Sequence, residues 1–263
     1  MDLGLENAKI IVTGGASHIG QAIVWTLAAE GASIAIVDRD EAQARRTAKE
    51  AEARGRHKVH VVAADVGAQA AAESACREAM SLLGGIDVLV NNVGFNRPAF
   101  FLETDPSAWD RLIAVNLTSV MSCTRAVLPA MMERGRGSIV ATASTAAFGE
   151  YRQSVYAAAK AGVVAFIRTI ALEYGRSGVR ANLVAPGLTL PEEPSALGAQ
   201  SLWQDRDAIM NEAQIGYVEK QTPLRRLSKA DDIANAVAFL ASDKVSRQIT
   251  GQLITVAGGF AMR

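Results

Sequence analysis

Three side chains within one short stretch have the types and spacing to exchange protons with an alcohol or a carbonyl: Ser144, Tyr156 and Lys160. Tyr156 and Lys160 are four residues apart in an alanine-rich segment, so on a helix both project from one face, one turn apart. A free phenol, with a pKa of about 10, is a poor base at neutral pH, and a fixed ammonium nearby favours its ionised form. The spacing therefore leads one to expect that Lys160 brings the Tyr156 phenol into the range of proton exchange. Ser144 would donate a hydroxyl to the substrate oxygen as charge develops on it. An ordinary exposed helix face also carries Tyr-x-x-x-Lys, so the meaning of the pair rests on the elements around it.

Those elements alternate. Short apolar runs at Lys9–Thr13, Ser33–Asp38, Lys58–Asp65, Ile86–Asn91, Ser138–Ala143, Val179–Ala185 and Gln252–Val256 read as strands. Between them, helical periodicity runs over Ile19–Glu30, Glu41–Arg54, Gln69–Leu83, Ser154–Tyr174 and Asp231–Leu240. A long helix opens at Asp105-Pro106, passes through Asn116 and continues toward Glu133, with Pro129 expected to bend its last turns. Strands that are apolar on both faces, alternating with helices, predict an α/β fold: a seven-stranded parallel sheet covered by helices on both sides. Ligands of such sheets bind beyond the carboxyl ends of the strands, where Thr13, Asp38, Asp65, Asn91, Ser144 and Pro186 all stand. Residues 1–263 read as a single domain, with an irregular substrate loop over about 188–223 inserted after the sixth strand.

Composition excludes several classes. Lys plus Arg (27) balance Asp plus Glu (27), so no global field recruits nucleic acid or an anionic membrane. No uninterrupted apolar run of membrane-spanning length occurs, and the start lacks the basic and apolar regions of a secretory signal. Cys76 and Cys123 lie far apart in helical segments and read as buried thiols of a reducing compartment, so a cytoplasmic location is expected. His18, His57 and His60 have no partner cluster at ligand spacing, so no metal site is expected.

The stretch Thr13 to Gly20 follows a strand and opens a helix, the setting in which a glycine loop cradles a phosphate. Asp38 ends the second strand 18 residues after Gly20, placed to accept hydrogen bonds from an adenosine ribose and to repel a 2′-phosphate. It argues for NAD over NADP; Arg39 beside it opposes that, since a guanidinium can bind the phosphate.

Thr13-Gly14 with Ile19-Gly20, Asn91-Asn92-Val93-Gly94, Asn116, Ser144, Tyr156-x-x-x-Lys160 and Pro186-Gly187, in this order, resemble the short-chain dehydrogenase/reductase family over some 245 residues. The resemblance implies a homotetrameric, Rossmann-type, doubly wound oxidoreductase using a nicotinamide cofactor, with Asn116, Ser144, Tyr156 and Lys160 as its catalytic residues. It implies further that Lys160 holds the nicotinamide ribose, Asn116 anchors a water in a proton relay, and Asp65 and Val66 meet the adenine. Gly14, Ser17, His18, Ile19 and Gly20 would surround the pyrophosphate; Asn92 and Gly94 would line the cofactor, and Pro186, Gly187 and Thr189 the nicotinamide.

Three departures stand out. His18 replaces the usual middle glycine of the loop, and is expected either to point away or to hydrogen-bond a phosphate. Pro191 stands where a threonine is usual, leaving Thr189 as the candidate for the nicotinamide carboxamide, and Ala257 stands where an aspartate is frequent, a difference in packing or assembly.

The expected reaction is hydride transfer between NAD(H) and a small-molecule secondary alcohol or ketone. Substrate-facing candidates are Ser144, Tyr156, Phe95, Asn96, Arg97, Thr145, Ala146, Tyr151 and Gln153, together with Leu188, Leu190, Trp203 and Met210 of the long loop. That mostly apolar set favours a cyclic, aromatic or hydroxyacyl substrate, and Arg97 and Arg152 are candidate anion ligands. The competing readings are an NADPH-dependent carbonyl or 3-oxoacyl reductase, and a nucleotide-binding protein without turnover.

Overall fold

Five of the seven expected strands are buried on both faces, the two edge strands only in part, and this fixes the architecture. A computed structural model describes residues 2–191, 197 and 211–261. Seven strands, β1 (Lys9–Thr13), β2 (Ser33–Asp38), β3 (His60–Ala63), β4 (Val88–Asn91), β5 (Gly137–Thr142), β6 (Val179–Pro186) and β7 (Leu253–Val256), pair in parallel in the order β3-β2-β1-β4-β5-β6-β7. The order reverses between β1 and β4, and a crevice opens there at the carboxyl ends of the strands.

Alternation along each strand divides the core in two. Ile10, Val12, Ile34 and Ile36 point to the face covered by α1 (His18–Ala29), α2 (Glu41–Glu52) and α8 (Ala230–Ala241). Ile11, Ala35, Val37 and Leu89 point to the face covered by α3 (Gln69–Leu83), α5 (Ser119–Glu133) and α6 (Ser154–Tyr174). Each fully buried Ile or Val contributes roughly 1.5–3 kcal/mol, so both faces are strongly driven to be covered. The segments Pro106–Glu133 and Ser154–Ser177 are long and apolar enough by length and composition to cross a bilayer. Here they pack on the sheet, with Val120, Val127, Met131, Val163 and Ile167 in its core. Cys76 and Cys123 are free, buried thiols.

Two parts differ from the sequence reading. The long helix toward Glu133 is broken in stages: Pro106–Ala108 is a 3-10 turn capped by Asp105, α4 spans Trp109–Ile113, and Ala114–Thr118 form a π-turn before α5. The interruption therefore falls at Asn116, while Pro129 sits inside α5. The second difference lies in the substrate loop, where Glu212–Gln221 form a helix, α7. Asn211 opens it with a capping box: its side chain accepts from Gln214 N, and Gln214 Oε1 accepts from Asn211 N, both at 3.0 Å. The sequence Asn211-x-x-Gln214 was the available signal.

Candidate active site

A cavity of about 810 Å³ occupies the crevice at the switch point. One end is built by β1 and β2. The backbone turns at Gly14 and enters α1 at His18, and Gly20 lies hard against the turn: a β-carbon there would come within 1.8 Å of the Gly14 carbonyl oxygen. No side chain caps α1, and Ser17, His18, Ile19 and Gly20 at its start line the cavity. Asp38 ends β2 in the same wall and accepts hydrogen bonds from Ala16 N at 3.1 Å and Asp40 N at 3.0 Å. Burial pushes its carboxyl above the ordinary value, against the pull of those two amides. Arg39, exposed, also lines this end.

Asp65 and Val66, expected beside an adenine, flank the same end. Val66 is buried, and Asp65 pairs with Arg111 Nη2 at 2.6 Å and with Gly67 N at 2.9 Å. Asn92 ties the two halves of the sheet together: its Nδ2 donates to Gly14 O at 3.0 Å, and its Oδ1 accepts from Thr142 Oγ1 at 3.3 Å.

The other end is built by β4, β5, the π-turn and α6. Ser144, just past β5, caps a 3-10 turn, its Oγ accepting from Ala146 N at 3.2 Å, and it lies within hydrogen-bonding reach of the Tyr156 phenol. Lys160 Nζ lies 5.7 Å from the Tyr156 ring centroid and donates to the Thr142 carbonyl at 2.7 Å. Asn116 is fully buried; its Oδ1 accepts from Phe95 N at 3.1 Å, and its Nδ2 donates to Phe95 O at 2.8 Å and Leu112 O at 2.9 Å. Both Asn116 Oδ1 and Lys160 Nζ press on Gly94, where a β-carbon would lie 2.9 and 3.2 Å from them. Beyond β6, Pro186, Gly187, Leu188 and Thr189 close the wall; Thr189 is buried and its Oγ1 donates to Gly187 O at 3.2 Å. Ala257 packs against Gly187, where a β-carbon would meet its side chain at 2.8 Å.

The substrate-side candidates divide. Asn96 Nδ2 donates to Gln153 Oε1 at 2.8 Å, joining the loop after β4 to the loop before α6. Tyr151 stands at the mouth, exposed, its ring edge-on to Phe100 at 5.1 Å. Arg97 is exposed and does not line the cavity, whereas Arg152 does. Trp203 and Met210 lie outside the described residues. Among the described residues no group of three His, Cys, Asp or Glu is placed to hold a metal ion.

The family whose model carries the description enoyl-(acyl carrier protein) reductase matches residues 14–261. The (2S)-[(R)-hydroxy(phenyl)methyl]succinyl-CoA dehydrogenase subunit BbsD of Thauera aromatica is 37% identical over 257 residues, covering 98% of each chain. The chain belongs to the short-chain dehydrogenase/reductase family. Among solved members, 3-ketoacyl-(acyl-carrier-protein) reductase of Brucella melitensis complexed with NADH superposes with a TM-score of 0.85 at 31% identity, over 98% of this chain and 100% of that one. A 7α-hydroxysteroid dehydrogenase complexed with NADH and 7-oxo glycochenodeoxycholic acid gives 0.88 at 28% identity, over 98% and 96%. This short-chain dehydrogenase/reductase is thus an oxidoreductase acting on hydroxyl or keto groups.

Burial governs the protonation of three groups in this site. Burial pushes the Tyr156 phenol up to about 12, against the hydrogen bond from Ser144, and holds Lys160 down to about 8. The pair therefore rests as a neutral phenol beside a lysine, because desolvation outweighs an ammonium whose donor is directed to Thr142. His18 adopts φ +52, the left-handed conformation a glycine would take, and hydrogen-bonds the Leu190 backbone of the loop after β6. Burial lowers its pKa to about 4, so His18 is neutral at neutral pH.

The residues that sequence reasoning missed are on α7, where Asn211, Gln214 and Tyr217 close the cavity, and on α4, where Arg111 holds Asp65. The capping box announced the first; nothing in the sequence paired residues 65 and 111.

Proposed function

We propose that this enzyme interconverts a secondary alcohol and a ketone with NAD(H) as its redox partner. The observation that carries the reading is the meeting of Ser144, Tyr156 and Lys160 at one end of a cavity whose other end holds the glycine turn and Asp38. The close approach of Gly20 to Gly14 and the uncapped start of α1 fit a dinucleotide pyrophosphate; Asp38 fits the adenosine ribose and its charge repels a 2′-phosphate. Asp65 and Val66 would flank the adenine, Asn92 and Gly94 the centre of the cofactor, and Pro186, Gly187 and Thr189 the nicotinamide. When bound, the nicotinamide accepts or supplies hydride and, in its oxidised form, adds positive charge.

The chain manages the proton. In reduction the neutral Tyr156 phenol gives its proton to the ketone oxygen, while Ser144 donates a hydrogen bond to that oxygen as it becomes negative. Lys160, charged below about pH 8, stabilises the phenolate that remains and positions the cofactor ribose. Oxidation runs the same transfers backward. Asn116 spends its amide holding Phe95 and Leu112, so its part is to fix the loop that shapes the substrate end; a water relay would have to start from its backbone.

Phe95, Leu188 and Tyr217 give the substrate end an apolar lining suited to a cyclic, aromatic or hydroxyacyl substrate. The phenyl-bearing acyl-CoA named for the Thauera relative and the 7-oxo bile acid bound by the steroid dehydrogenase support that class. Arg39 in the same wall as Asp38 favours a second reading, an NADPH-dependent carbonyl or 3-oxoacyl reductase. Initial rates over a panel of secondary alcohols, with NAD⁺ and NADP⁺ side by side, decide between them; a kcat/KM preference for NADP⁺ overturns the first. We also read the enzyme as a cytoplasmic homotetramer, on its free thiols and on the exposed Met121, Met132 and Leu172 of α5 and α6. A monomeric mass by light scattering overturns the assembly.

A further inference from the structure

We propose that Arg152 selects the substrate by holding a carboxylate, so that the enzyme acts on secondary alcohols that carry an acid group. This rests on the alcohol/ketone reading above. Arg152 lies four residues before Tyr156 and contributes to the cavity wall beside Gln153. Its backbone is at φ +61, a conformation that costs a residue with a β-carbon ~1 kcal/mol or more and persists only where surroundings enforce it. The Ala99 amide enforces it, donating to the Arg152 carbonyl at 2.8 Å.

The guanidinium so placed is under-used. Nη2 reaches the Pro98 carbonyl only at 3.4 Å, the group lies 5.6 Å from the Phe100 ring centroid, and Nε is enclosed with no hydrogen-bond partner. No carboxylate among the described residues comes within ion-pair distance of it, and Glu150 in the same wall turns Oε1 to the Tyr151 amide at 3.2 Å. Other enclosed arginines have a carboxylate: Arg134 pairs with Asp87 at 2.8 Å, and Arg180, whose Nε likewise lacks a hydrogen-bond partner, has Asp243 at 3.4 Å and donates to the Leu240 and Ser242 carbonyls at 3.0 and 3.1 Å. A planar fork of donors left short of acceptors inside a cavity fits a planar bidentate anion. Arg152 precedes α6 by two residues and shares the cavity wall with Tyr156, which suits an acid group on the reacting alcohol, whereas Arg97, exposed and outside that wall, is the candidate for a carrier-arm phosphate.

The test pairs neutral alcohols with acid analogues: 1-phenylethanol with 3-hydroxy-3-phenylpropionate, cyclohexanol with 2-hydroxycyclohexanecarboxylate, and 2-butanol with 3-hydroxybutyrate and its coenzyme A thioester. NADH formation is followed for wild type, Arg152→Gly, Arg152→Lys and Arg97→Ala; glycine accepts φ +61, so the first variant keeps the backbone. The expected result is a kcat/KM ratio of acid to neutral alcohol that falls about 30-fold in Arg152→Gly, the worth of one charge-assisted hydrogen bond. The ratio recovers in part in Arg152→Lys and holds in Arg97→Ala. Turnover of the neutral alcohols with no acid preference, or a ratio unchanged in Arg152→Gly, overturns the inference and leaves the reaction class standing. A selective loss on the thioester overturns it in favour of a phosphate. No turnover of any alcohol while NADH still binds overturns the reaction class, and the inference with it.

Discussion

Lys160 Nζ donates to the backbone carbonyl of Thr142 at 2.7 Å, so the lysine of a helix is moored to the last residue of the neighbouring strand, almost wholly out of water. A buried ammonium with one carbonyl partner is expensive to fold around. The predicted consequence is that Lys160→Met is more stable than wild type by ~1–3 kcal/mol in urea titrations near neutral pH, and inactive. Because the folded pKa is lowered from 10.5 to about 8, the unfolded chain binds the extra proton between those values. Wild-type stability should therefore gain on that of Lys160→Met as pH rises from about 8 to 10.5. A constant gap across this window contradicts the assignment.

Tyr156 should stay a neutral phenol through the alkaline range in the enzyme alone, since burial pushes it up to about 12. Ultraviolet titration of wild type against Tyr156→Phe should show no additional ionisation below about pH 11. The same variant should lose about 10²–10⁴ of kcat while binding NADH nearly as tightly, as removal of a general acid requires. Residual turnover near that of the wild type would remove Tyr156 from its proposed role.

Cofactor affinity should not vary with pH from 5.5 to 8 on account of His18, which is neutral there with a pKa of about 4. Stability should vary instead. The unfolded histidine, at 6.5, binds protons the folded one refuses, so stability drops as pH falls from about 6.5 toward 4. His18→Gly should flatten that part of the curve. An NADH dissociation constant that tightens several-fold on acidification would contradict this.

Asp38→Ser should shift cofactor choice. Loss of the carboxylate removes a ribose acceptor and the repulsion of a 2′-phosphate, so kcat/KM with NAD⁺ is expected to fall about tenfold while that with NADP⁺ rises. Arg39 remains in the wall to meet the phosphate. An unchanged ratio of the two values would mean that Asp38 does not read the ribose.

The sheet was legible in the sequence because strands buried on both faces leave unbroken apolar runs, and the residues at their ends, Asp38, Asn91 and Ser144, inherit their places from it. The spacing of Tyr156 and Lys160 located the pair, while its resting protonation was not legible, since the balance of desolvation against attraction depends on how deeply α6 is covered. The π-turn at Asn116 was hidden because Ala114–Thr118 carries no proline or glycine to mark it. Asn96 and Gln153 were read as polar handles for substrate; only the fold brings the loops together so that the two amides meet.

That amide pair makes the two loops a single mechanical part. Anyone reshaping this pocket for a new substrate by exchanging the loop after β4 alone will leave Gln153 without its mate, and exchanging the one before α6 alone will strand Asn96. Libraries that diversify both positions together should yield folded, active variants more often than those that treat each loop as an independent module.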